Sequence, residues 1–153
     1  MVLNSTAANG QAGVIYRIQD LSFGAFYVGS AGGTLSISNT GTLTSTGGVI
    51  PLNAGPAYFP ALFDIEAETS ARISFLKGPD AILRGSNGGS ITLIPADPKI
   101  ISRTNSQNSS PSNPHKKLRL SRVAVGGTLN LQSAASSPGG KYSGDFSIII
   151  FYE

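Results

Sequence analysis

Few residues in this chain are of types that do chemistry. His115 is the only histidine, and it stands beside Lys116 and Lys117 in a stretch of Ser, Asn and Pro. One imidazole in a chain without cysteine cannot assemble the nitrogen and sulfur ligands of a zinc site. As a general base it would need an orienting group that its sequence neighbours do not supply. Asp64, Glu66 and Glu68 recur at every second position, which on an extended chain places three carboxylates on one face. Such a trio could bind calcium or act as a glycosidase pair. Calcium sites are usually built on loops with carbonyl ligands, however, and a solvated strand face is the simpler reading. In "HKKLRLSRV", Lys117, Arg119 and Ser121 alternate with Leu118 and Leu120. This is either a basic stripe for an acidic surface polymer or the wet face of a strand whose charges discourage edge pairing. The Gly pairs do not lead into the Lys-Ser or Lys-Thr of a phosphate loop. Gly32-Gly33, Gly88-Gly89 and Gly126-Gly127 instead stand before a Thr or Ser and an alternating run, as bends or bulges that open strands. No nucleophile, base and orienter come together, so a non-catalytic protein with no metal or cofactor is expected.

Strands must carry these residues. Charged residues make up 12 % of the 153, Gly accounts for 19, and the polar share falls to Ser, Thr and Asn. Alternating runs recur between Gly, Pro, Asn and Ser clusters, the signature of an all-β sandwich or barrel. No window holds a helical period. "LSISNTGTLTS" predicts a hairpin with Gly41 in the left-handed conformation. "FDIEAETSARISF" predicts another, with a loop at Thr69 to Ala71 and Glu68 opposite Arg72, Ala67 opposite Ile73 and Ile65 opposite Phe75. Arg103 to Lys117 lacks apolar anchors and reads as a long surface loop. The domain organisation is an arm over 1–13 and a single sandwich domain over 14–153.

The last twelve residues, "YSGDFSIIIFYE", carry the strongest strand signal. Tyr142, Gly144, Phe146, Ile148, Ile150 and Tyr152 share one face, and the other turns from polar to apolar halfway. That pattern fits a central strand, or an edge completed by another subunit. At the opposite end the chain is small and polar until Val14, Tyr16 and Ile18 begin to alternate. An arm of thirteen residues spans roughly 40 Å when extended, enough to reach a neighbouring copy.

Four stretches resemble, in order, one family of bacterial secreted domains of unknown function: "IQDLSFGAFYVGSAGGTLSIS" from Ile18, "GTLTSTGGVIPL" from Gly41, "FDIEAETSARISF" from Phe63 and "VAVGGTLNLQSAASSPGGKYSGDFSIIIFYE" from Val123. They cover over half the chain. The resemblance implies an immunoglobulin-like antiparallel β-sandwich and export to the bacterial surface. The final strand also resembles that of chaperone–usher pilins, with Tyr152 penultimate and Gly140 fourteenth from the end. The chain departs from that pattern in having no cysteine pair and no long alternating donor segment.

The expectation is therefore a secreted or cell-surface structural subunit of a fibre, pilus-like filament or layer. It would meet copies of itself through apolar edges and the arm, with Val14, Tyr16, Ile18, Ile148, Ile150 and Tyr152 at the contacts. The alternative is a secreted module binding a surface glycan or another ligand. Eleven Lys and Arg for a net charge of +3 are too few and too scattered to predict a nucleic-acid partner, and no run of eighteen apolar residues predicts a membrane span.

Overall fold

A computed structural model describes residues 2–8, 13–110 and 113–152. The strands run in chain order β1 (Val2–Ala8), β2 (Val14–Gln19), β3 (Ser22–Phe23), β4 (Phe26–Ile37), β5 (Leu43–Pro51), β6 (Tyr58–Phe59), β7 (Ala61–Glu68) and β8 (Ile73–Lys77). They continue as β9 (Ala81–Gly85), β10 (Ser90–Pro95), β11 (Lys99–Ser110), β12 (Asn113–Val125), β13 (Gly127–Leu131), β14 (Tyr142–Ser143) and β15 (Asp145–Tyr152). Sheet orders are β14-β9-β10-β13-β4-β5, β11-β12-β7-β2, β1-β15-β8 and the small pair β3-β6.

The alternation of side chains explains how these sheets meet. Leu35, Ile37, Leu83, Ile91, Leu93, Leu129 and Leu131 come from the six-stranded sheet, Phe63, Ile65, Val123 and Val125 from the four-stranded one, and Phe146, Ile148, Ile150 and Tyr152 from β15. All belong to one buried cluster, with polar residues at many of the intervening positions. The protein is thus an all-β, immunoglobulin-like antiparallel sandwich. Among the described residues, the exception to antiparallel strand pairing is β1, which lies parallel to β15.

The C-terminal strand is central in its own sheet. It has β8 on one side, with Tyr152 opposite Ile73 and Ile148 opposite Lys77. On the other side is β1, in register from Val2 opposite Asp145 to Ala8 opposite Phe151. Met1 and residues 9–12 of the expected arm lie outside the described residues.

The hairpin around Asn39-Thr40-Gly41 forms as its sequence requires. Ile37 pairs with Leu43, the Gly41 amide donates to the Ser38 carbonyl at 3.0 Å, and Gly41 has φ +90°. At Gly32 (φ +67°), a Cβ would stand 2.0 Å from the Gln132 carbonyl oxygen, and the β4–β5 register shifts between Val28 and Gly33. Glycine is required there by both the dihedral and the close approach.

Two expectations are corrected. β7 and β8 do not form a hairpin. β7 pairs with β12 and β2, while β8 pairs with β15, so Glu68 faces Leu118 and not Arg72. The turn after Glu68 closes locally, with the Ala71 amide donating to the Glu68 carbonyl at 2.9 Å, but it carries the chain from one sheet to the other. The stretch 103–117, read as a loop, instead supplies the distal halves of β11 and β12. Pairing is regular from Ser102 opposite Arg122 to Asn105 opposite Arg119 and irregular beyond. Backbone pairing does not need apolar side chains, so a Ser- and Asn-rich stretch can still extend a ribbon. Residues 111 and 112 lie outside the described residues.

Candidate functional site

The six residues expected at subunit contacts fall into two places. Val14, Tyr16 and Ile18 are 51, 44 and 48 % exposed. They form a stripe on β2, which is the edge of its sheet. Their intervening neighbours, Ile15 and Arg17, stand opposite the buried Ile65 and Phe63, so the stripe points away from the core. Ile148, Ile150 and Tyr152 point the other way and are buried in the chain's own core. They hold the strand that β1 completes.

Tyr152 also marks where the chain enters β2. A Cβ added at Gly13 would lie 2.6 Å from the Tyr152 ring and 2.8 Å from its hydroxyl, so the backbone passes directly over the ring. Burial pushes the Tyr152 hydroxyl above its ordinary pKa, and among the described residues this hydroxyl has no hydrogen-bond partner.

The carboxylate trio does not act as a unit. Arg122 grips Asp64 with two parallel hydrogen bonds, Nε to Oδ1 and Nη2 to Oδ2, both 2.8 Å. The Asp64 hydrogen bond and charge raise the pKa of Arg122 further and keep it protonated. Glu66 is buried between Leu120 and Val14 in the strand register. Among the described residues, no group of three or more His, Asp or Glu could hold a metal ion. His115 is exposed on β12.

An apolar groove of about 640 Å³ lies apart from all six residues expected at contacts. Phe23, Phe26, Tyr27 and Tyr142 line it together with the core residues Leu83 and Leu129. Tyr142 is fixed by donating its hydroxyl to the Pro138 carbonyl at 2.6 Å. Phe23, Phe26 and Tyr27 lie more than a hundred residues from Tyr142 in sequence, so no local motif signals the groove. It suits an apolar or ring-bearing ligand, with Lys141 as a charged group at its lining.

No curated protein and no solved structure matches the chain. A family model does match, over residues 15–152, and it is described as a domain of unknown function, DUF4402. That span takes in every strand from β2 to β15 almost whole, leaving β1 outside, and the chain belongs to the DUF4402 family.

Proposed function

We propose that this chain is a non-catalytic structural subunit of a bacterial surface fibre, pilus-like filament or layer, assembled by strand addition. The observation that carries the reading is the ladder of seven residue pairs between β1 and β15. β15 supplies much of the core, and without β1 one of its edges would leave a row of backbone groups unpaired. β1 reads "VLNSTAA", small and polar beyond Val2 and Leu3, a sequence suited to recognition through main-chain hydrogen bonds. Parallel pairing is slightly weaker per residue than antiparallel. The same segment from a second copy, arriving antiparallel, would hold the edge at least as well and link two subunits. The exposed stripe on β2 adds apolar surface for a neighbour. Export to the cell surface belongs to this proposal.

The test is deletion of residues 1–12 in material imaged by negative stain and sized by gel filtration. The full chain should form filaments or higher oligomers, and the shortened chain should not. Assembly of the shortened chain as readily as the full one would overturn a role for β1. A second reading, a surface module binding a glycan or another ligand, is favoured by the aromatic-walled groove. Saturable binding by a stable monomer would support that reading instead.

A further inference from the structure

A second cavity, of about 250 Å³, opens where β7 ends and the chain turns toward β8. Arg72, Arg103 and Arg119 line it, with Ser70 and Ser121 as hydroxyl donors and Glu68 as the one carboxylate. The strand register explains how arginines from three separate segments come to line one cavity. Ser121, Val123 and Val125 alternate along β12 toward the core and are buried, and Arg119 continues that face one step further. Arg103 stands opposite Ser121 on β11. Arg72 is brought over by the turn after β7, which is tied down by the Thr69 amide donating to the Lys117 carbonyl at 2.9 Å. Arg119 Nη2 donates to the Thr69 carbonyl at 3.1 Å, which fixes that guanidinium while leaving it further N–H groups.

We propose that this pocket binds a doubly charged tetrahedral oxyanion, a phosphate group. Three guanidinium charges against one carboxylate leave an excess of two, which a phosphate or phosphomonoester neutralises and an acetate-like group does not. Guanidinium forks match phosphate oxygens in geometry, and a cavity of about 250 Å³ is below the usual size for a drug-like ligand but ample for one such group. The donors sit on paired strands and a tied turn, so the site is pre-organised. The proposal does not depend on the assembly reading.

The experiment is an amide and arginine side-chain NMR titration of the full chain at low salt with inorganic phosphate, glucose 6-phosphate and acetate. Phosphate should give saturable shifts at Ser70 to Arg72, Arg103 and Arg119 that weaken as salt is added. Arg103→Gln, at an exposed position, should weaken binding about tenfold or more while keeping the folded spectrum. Arg84→Gln, on β9 and outside the pocket, should leave it unchanged. Tighter binding of glucose 6-phosphate than of phosphate assigns the site to an ester, and equal binding assigns it to the free anion; both support it. Equal response to acetate, absence of saturable shifts, or Arg103→Gln binding like the parent would overturn it.

Discussion

Tyr152 shows what a single residue does in this fold. Its ring is 1 % exposed and packs beneath Gly13, yet its hydroxyl has no hydrogen-bond partner among the described residues. A buried, unpaired hydroxyl costs about 1–3 kcal/mol, so Tyr152→Phe should raise stability at pH 7 by about 1 kcal/mol in urea unfolding. The sign of the alkaline effect follows from burial. The folded pKa is raised from an ordinary value of 10.0, so above that pH the unfolded chain releases a proton that the folded chain keeps. The stability tied to the neutral hydroxyl is complete below about pH 10 and is lost as pH rises through the raised folded value. Tyr152→Phe should therefore decline less than the parent over that window. An identical alkaline decline in both proteins would show that Tyr152 does not govern it. The apolar type of this residue and its face were legible in "FSIIIFYE". Its position under Gly13 was not, because that contact joins opposite ends of the sequence.

Individual elements were legible where their determinants are local. The β4–β5 hairpin follows from Asn39-Thr40-Gly41, since the turn conformation and the flanking alternation agree over a few residues. The expected β7–β8 hairpin had an equally good local register, but both strands found better-covered positions with β12 and β15, far away in sequence. Alternation fixes which side of a strand is buried and not which strand lies beside it. The β11–β12 ribbon misled for a different reason: its distal part is strand without an apolar side. This gives an element-scale prediction. The regular ladder ends at Asn105 opposite Arg119, and the core-facing Ser121, Val123 and Val125 lie beyond it toward the sandwich. Replacing residues 107–115 by a short turn should shift the melting temperature by no more than about 4 °C, the equivalent of about 1 kcal/mol in a domain of this size. A larger loss in a calorimetric scan would mean that the ribbon packs as a structural element.

At the scale of the whole molecule, the sandwich divides its apolar residues between two tasks. The faces of β15, β7, β12 and the six-stranded sheet close one core. The stripe of Val14, Tyr16 and Ile18 contributes nothing to that core from its outward side and lies on an edge strand, where a long apolar face invites pairing with another chain. All-β class and the sandwich were readable from composition and turn spacing, because many short alternating runs leave few other folds. The candidate contacts were readable only as a set of apolar strand residues; the structure separates the inward three from the outward three. The outward three permit a test that leaves the core alone. Replacing Val14, Tyr16 and Ile18 together by Thr keeps β propensity and removes the apolar surface, so the melting temperature should stay within about 4 °C. If the stripe joins neighbouring subunits, gel filtration should then show a shift from oligomers toward monomer even with β1 intact. Should the triple variant assemble like the parent, the stripe is not an interface, and strand addition by β1 must account for assembly without it. Should it lose stability as well, Val14, Tyr16 and Ile18 hold β2 on its own sheet.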